Sequence, residues 1–125
     1  MPVTRITLGA VNMEAADPAS LAAFWAAVTG STSTGAEGTF YLAPSETDGF
    51  AMFFQPMTEA RPERPTMHLD LTVPWGERVG EVERLEGLGA TRRWDVLDEY
   101  PHVQWTTMAD PEGNLFCVAE HPPTA

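Results

Sequence analysis

The sequence predicts an α+β fold made of two similar halves, and three observations support this prediction. Two amphipathic helical patterns, at 17–30 and 77–89, each follow one strand-like stretch and precede several more. A stretch with three prolines, 56–65, separates the two halves. The length of 125 residues suits one domain with one core. Because neither half alone can bury both a helix stripe and its strand faces, we expect the halves to pair around a cavity.

The first half opens with a strand followed by a helix. Alternation of side chains predicts a strand over 6–14. Asp17-Pro18 supplies an N-cap acceptor and a proline at the first helical position, and Gly30 lies where a C-terminal cap is expected. The helix has one apolar stripe, which is made of Leu21, Phe24, Trp25 and Val28.

Short strands complete the first half, and the same order of elements then repeats. In the first half, strands are predicted at 39–42 and 51–55 with a turn at 44–49 between them. In the second half, a strand at 67–73 precedes a helix at 77–88, which Gly89 ends. The predicted apolar side of this helix consists of Val79, Val82, Leu85 and Leu88. Three further strands are predicted at 90–94, 103–108 and 115–119, with a turn at 110–114.

The charge balance excludes several classes of partner. Eighteen acidic residues face seven basic ones, for a formal net charge of −11, and every basic residue is arginine. Such a surface repels phosphate groups, so we expect neither nucleic-acid nor anionic-membrane binding. It would attract a cationic small ligand, although acidity can also serve solubility alone.

The cellular compartment is expected to be the cytoplasm. No apolar run approaches the ~20 residues that a membrane helix needs, and the first residues do not resemble a secretory signal. A single cysteine, Cys117, excludes an internal disulfide and suits a reducing environment.

Four motifs resemble those of the vicinal-oxygen-chelate superfamily, the glyoxalase and bleomycin-resistance type. Residues 17–30, which begin Asp-Pro-Ala-Ser-Leu-Ala-Ala-Phe-Trp, are similar to the first helix of that family. The strand His-Leu-Asp-Leu-Thr-Val at 68–73 is similar to the one that opens its second module. Leu-Gly-Ala at 88–90 and Asp-Pro-Glu-Gly-Asn-Leu-Phe-Cys at 110–117 resemble its helix end and last hairpin. The resemblance covers nearly the whole chain in the right order.

This resemblance implies a single domain, 1–125, built from two βαβββ modules whose curved mixed sheets surround a cavity. Module one would span 1–55, the linker 56–65 and module two 66–121. It also implies a small-molecule ligand and a homodimer, because many relatives complete their cavities at a dimer interface.

Metal-using relatives hold their ion with His and Glu at matched strand positions of both modules. Here these positions fall on Ala10, Phe53, His68 and Cys117, so His68 alone keeps a usual ligand type. We therefore expect no metal cofactor. The alternative is an atypical zinc site in which Glu14, Asp70 or Gln55 joins His68 and Cys117.

His68 and Asp70 stand two apart in a strand and share one face. Because Leu69, Leu71 and Val73 would fill the helix side, this face is expected to line the cavity. There His68 is the candidate catalytic residue, as a base or a hydrogen-bond partner. The alternatives are a surface His–Asp contact or a core histidine.

The other candidate ligand-binding residues follow from strand parity and residue type. Trp105 could stack on a ligand or simply pack in the core, and Cys117 could instead be a small buried hydrophobe. Trp94, which an acidic turn follows, is a candidate contact at the rim. The full predicted ligand-binding set is Asn12, Glu14, Phe53, Gln55, His68, Asp70, Trp105 and Cys117.

Two functional hypotheses follow. The first is a small-molecule-binding protein with a degenerate metal site, which acts in sequestration of, or resistance to, a cationic or aromatic compound. The second is an enzyme, a lyase, isomerase or dioxygenase, that uses His68 with an atypical metal site or with metal-free acid–base chemistry.

Overall fold

A computed structural model describes residues 8–45, 49–60 and 67–123 of the chain. The chain divides into two compact units, 1–61 and 62–125. The predicted start of the first strand, part of the turn at 44–49 and the linker residues 61–65 lie outside the described residues. Among these described residues, neither helix has the length and apolar character of a membrane-spanning segment.

The first unit is a βαβββ module with one four-stranded mixed sheet. Its elements are β1 (Ala10–Ala15), α1 (Pro18–Thr29), β2 (Ser33–Ala36), β3 (Thr39–Leu42) and β4 (Ala51–Pro56). The strand order is β1-β4-β3-β2, in which β1 and β4 are parallel and the other pairs antiparallel. Strand β4 runs one residue further than predicted, into the first residue of the expected linker.

Helix α1 begins and ends where the sequence predicts. The Asp17 carboxylate caps its first turn by accepting hydrogen bonds from the Ser20 amide at 3.2 Å and the Ser20 hydroxyl at 2.7 Å. Gly30 ends the helix in the left-handed region, with φ of 77°. The buried face is made of Leu21, Ala22, Phe24 and Trp25, and the helix packs on β3 and β4.

The second unit repeats the topology of the first. Its elements are β5 (Leu69–Thr72), α2 (Arg78–Leu88), β6 (Thr91–Val96), β7 (Gln104–Ala109) and β8 (Leu115–Glu120). The strand order is β5-β8-β7-β6, with β5 and β8 parallel and the other pairs antiparallel. The predicted α+β class with two βαβββ modules is therefore confirmed. Strand β2 is the one strand that the sequence pattern does not predict among the described residues.

The hairpin before β8 is held by one buried carboxylate. Asp110 accepts hydrogen bonds from the Glu112 amide at 3.0 Å and from the Asn114 amide at 2.9 Å, and the Asn114 side chain also donates to it. Gly113 adopts a φ of 88°, which favours glycine. The sequence at 110–114 thus forms the predicted turn and fixes where β8 begins.

The apolar stripe predicted for α2 is wrong at its two ends. Val79 is 52% exposed and Leu88 is 38% exposed. The buried face consists instead of Arg78, Val82 and Leu85, which are spaced four and three residues apart. An arginine therefore occupies the inner position of the first turn.

Arg78 can be buried because carboxylate and hydroxyl groups of the sheet accept hydrogen bonds from its guanidinium group and balance its charge. Its Nε donates to Glu120 Oε2 at 2.7 Å, and its Nη1 donates to Thr106 Oγ1 at 2.6 Å and lies 3.6 Å from Asp95 Oδ1. Only 9% of the Arg78 side chain and 4% of the Glu120 side chain are exposed. This pair ties the start of α2 to β6, β7 and β8.

The Glu120 carboxylate also accepts hydrogen bonds from groups outside the ion pair. The Gly76 amide donates to Oε1 at 2.7 Å, while the Gln104 side chain adds a bond of 3.0 Å to Oε2. Burial by itself raises the pKa of Glu120. The hydrogen bonds from Gly76, Gln104 and Arg78, together with the charge of Arg78, lower this pKa by a larger amount. The net pKa lies below the ordinary value, so the carboxylate is ionised at neutral pH.

Replacing Arg78 should be strongly destabilising. In Arg78→Met the Glu120 carboxylate stays buried without its cation, and we expect a loss of about 3 kcal/mol in the free energy of unfolding. The measurement is chemical denaturation. The matched control is Arg84→Met, which removes an exposed arginine that pairs with Glu81 at 2.9 Å in the same helix, and should cost about 0.5 kcal/mol. Equal losses in the two variants would contradict the assigned role of Arg78.

The contribution of Glu120 to stability should depend on pH. Its folded pKa is depressed, so the stabilisation is present above the ordinary value of 4.5 and is lost as pH falls through the lower folded pKa. The difference in free energy of unfolding between the wild type and Glu120→Gln should therefore stay constant from neutral pH to about pH 5, and shrink below it. A difference that does not change on acidification would refute this prediction.

Candidate functional site

The candidate site lies on one face of the second sheet. In the register of that sheet, Asp70 on β5 pairs with Cys117 on β8, Cys117 pairs with Thr107 on β7, and Thr107 pairs with Trp94 on β6. Directly paired residues project to the same face of a sheet, and His68 joins them because it precedes Asp70 by two. The sheet therefore carries a row of potential ligand contacts across all four strands.

This row lies on the face opposite helix α2. The helix packs on β8, β6 and β7, and its Arg78 bonds to Thr106. Thr106 pairs with Val118, and both are fully buried on the helix side. Their neighbours along β7 and β8, among them Thr107 and Cys117, must then point to the other side.

A cavity of about 460 Å³ lies over this second face. Its volume is within the range of small-molecule sites in proteins. It is mostly apolar, with two indoles, two imidazoles and one carboxylate among its walls. The lining residues are His68, Asp70, Thr72, Trp94, Val103, Trp105, Thr107, Leu115, Cys117, Ala119 and His121.

Three donor groups cluster at one side of this cavity. His68 Nε2 lies 3.2 Å from Asp70 Oδ1. One ligand atom from each of His68, Asp70 and Cys117 falls within 4.8 Å of the other two. The side chains of His68 and Asp70 are 52% and 68% exposed, whereas Cys117 is buried. A fixed thiol thus stands beside two side chains that solvent reaches.

Burial raises the pKa of the Cys117 thiol, because a thiolate is poorly solvated there. A hydrogen bond with the Thr107 hydroxyl at 3.4 Å lowers it, and the negative charge and hydrogen bonding of Asp70 raise it again. The net pKa is raised, so the group is a neutral thiol at physiological pH and a poor nucleophile.

Aromatic rings form another part of the cavity wall. Trp105 is half-buried, and Tyr100 stacks on it with ring centroids 5.7 Å apart and planes inclined by 17°. This contact holds the indole in place while leaving part of it open to the cavity. Trp94, from the edge strand β6, is 52% exposed and offers a second ring.

The predicted residues of the first unit lie together on its own sheet. Asn12 pairs with Phe53 and Glu14 with Gln55 across the parallel strands β1 and β4. Gln55 Nε2 donates to Asn12 Oδ1 at 3.2 Å, and Glu14 Oε1 accepts from the Thr58 amide at 3.4 Å. Their role in ligand binding stays a prediction.

Several lining residues were missed by sequence reasoning. Thr72, Thr107 and Ala119 stand two residues from Asp70, Trp105 and Cys117, so the same strand period would have identified them. Trp94 also lines the cavity, whereas the sequence predicts only a rim contact for it. An irregularity between Arg92 and Trp94 shifts the register there, and no sequence signal marks it.

The metal site expected from metal-using relatives does not fit this chain. In the first unit, Phe53 on the last strand pairs with Asn12, which is two residues after Ala10 on the first strand. In the second unit, Cys117 pairs in the same way with Asp70, which is two residues after His68. The two modules are thus in equivalent register, and Ala10 and Phe53 offer no donor atom. Among the described residues, the three donor side chains that lie close together are His68, Asp70 and Cys117, all in the second unit.

Comparison with known proteins agrees with the fold. A glyoxalase/bleomycin resistance protein/dioxygenase family enzyme from Burkholderia phytofirmans PsJN is 20% identical, with a TM-score of 0.77 over 94% of this chain and 100% of its own. A glyoxalase-related enzyme from Fulvimarina pelagi is 17% identical, with a TM-score of 0.74 over 95% of this chain and 92% of its own. At such identities the likeness shows the fold alone.

A resistance protein shares the fold as well. The fosfomycin resistance protein FosX from Mesorhizobium loti is 13% identical, with a TM-score of 0.68 over 97% of this chain and 95% of its own. No curated protein sequence is significantly similar to this chain. The sequence model of the family described as "glyoxalase-like domain" matches residues 10–119, which is most of the chain. The chain therefore belongs to the glyoxalase-like domain family, within the glyoxalase/bleomycin-resistance fold that its motifs resemble.

Proposed function

We propose that this protein binds a small organic molecule in the cavity of its second unit. The observation that carries the proposal is the coexistence, in one cavity of about 460 Å³, of two indole rings with the His68–Asp70 pair. Apolar walls with a few convergent polar groups are the usual composition of a small-molecule site. Trp94 and Trp105 would contact the body of the ligand, and His68 and Asp70 would bind a polar group on it.

Charge and ring chemistry narrow the class of ligand. Aromatic side chains favour a planar ring in offset or edge contact. The net charge of −11 repels anions and attracts cations, so the ligand is neutral or cationic. Asp70 would attract a positive group directly, because two thirds of its side chain is open to solvent. We therefore propose sequestration of a neutral or cationic aromatic compound, a role compatible with resistance.

An enzymatic role is the second candidate, and it rests on the same His–Asp pair. Asp70 Oδ1 lies 3.2 Å from His68 Nε2, which would orient the imidazole for proton transfer at its other nitrogen. A metal-free lyase or isomerase acting through His68 would require such an arrangement. The two candidates differ in one observable, namely whether the bound compound is consumed.

A ligand screen with matched variants tests the binding proposal. Neutral, cationic and anionic planar aromatic compounds are screened by thermal shift, where a ligand at 100 times its Kd adds about 2.7 kcal/mol to stability. For a compound that binds, Trp105→Ala should raise Kd about tenfold, or about 1.4 kcal/mol. The control is Trp75→Ala, since this half-exposed tryptophan does not line the cavity.

Each result of the screen bears on the proposal. Binding by neutral or cationic compounds that Trp105→Ala weakens and Trp75→Ala leaves unchanged would support it. A screen without any stabilising compound, or Kd values equal in Trp105→Ala and the wild type, would overturn it. Turnover of a bound compound that disappears in His68→Ala would favour the enzymatic candidate.

A further inference from the structure

We infer that His68, Asp70 and Cys117 form a three-donor site for a zinc-like divalent ion, built entirely within the second unit. Their ligand atoms lie within 4.8 Å of one another. The site does not involve Ala10 or Phe53, the two matched positions whose side chains have no atom that can bind a metal ion. It shares His68 and Asp70 with the organic-ligand site proposed above, but it does not depend on that ligand being bound.

The backbone brings the three donors together. Asp70 and Cys117 are paired residues on the parallel strands β5 and β8, and adjacent strands lie about 4.8 Å apart. His68 precedes Asp70 by two residues and projects to the same face, where its imidazole already lies 3.2 Å from the carboxylate. The juxtaposition therefore follows from strand register.

The donor types select the class of metal. Thiolate, imidazole and carboxylate are the three zinc ligands found in proteins, and a site with three of them leaves a fourth position open. A sulfur donor disfavours Mg²⁺ and Ca²⁺, which prefer oxygen. The bound ion would displace the thiol proton of Cys117 to solvent and leave the thiolate as a ligand.

The surroundings of the three side chains are suited to ion capture. Cys117 sits on a central strand, and the Thr107 hydroxyl lies 3.4 Å from its sulfur, where it would orient the thiolate. His68 and Asp70 are about half and two thirds exposed, so they can rotate the short distance needed to close on an ion. The ion would enter from the open cavity.

Cobalt titration of the full chain tests this inference without any organic ligand. The reduced protein is freed of metal with a chelator and titrated with Co²⁺, which absorbs in the near ultraviolet when a thiolate binds it. We expect a charge-transfer band that saturates at one ion per chain and disappears when Zn²⁺ is added. Cys117→Ser should abolish the band, while His68→Ala and Asp70→Asn should each weaken Co²⁺ binding at least about tenfold.

Controls separate ligation from loss of fold. His102→Ala removes an exposed imidazole that does not line the cavity, and should bind Co²⁺ as the wild type does. Circular dichroism checks that Cys117→Ser is folded. If this variant does not fold, the substitutions at the exposed His68 and Asp70 still test the site. Absence of the band in the wild type would overturn the inference. So would a band that survives Cys117→Ser, or wild-type affinity in both His68→Ala and Asp70→Asn.

Discussion

The buried pair of Arg78 and Glu120 is the interaction on which the second unit depends. An arginine at the inner position of the first turn of α2 can be buried only where its charge is matched, and Glu120 supplies the match at 2.7 Å. Thr106 and Asp95 extend the contact to β7 and β6. One cation thereby fixes the helix against three of the four strands whose other face forms the cavity.

Strand alternation connects this structural pair to the candidate site. Thr106 binds Arg78 on the helix side, and its neighbours Trp105 and Thr107 line the cavity on the opposite side. The same holds on β8, where Val118 is in the core and Cys117 lies in the cavity. A change of register by one residue would exchange the two sets, so the forces that fix the sheet also place the site.

Apart from β2, the order of elements and the boundaries of the helices could be predicted because local chemistry determines them. Asp17-Pro18 and Gly30 delimit α1 by capping, and 110–114 encodes its own turn. Burial of Arg78 could not be predicted, since its partners lie 28 and 42 residues away. Strand β2 has a small, polar sequence without clear alternation.

Prediction of the site was limited in the same way. The pairing of His68 with Asp70 follows from their spacing alone, whereas the approach of Cys117 requires the pairing of β5 with β8. The most direct test of a ligand site on this face is nuclear magnetic resonance of the four tryptophan indole N–H groups during titration with a compound found by the screen. We expect the signals of Trp94 and Trp105 to shift and that of Trp25, buried in α1, to stay unchanged. Binding that leaves Trp94 and Trp105 unperturbed would contradict it.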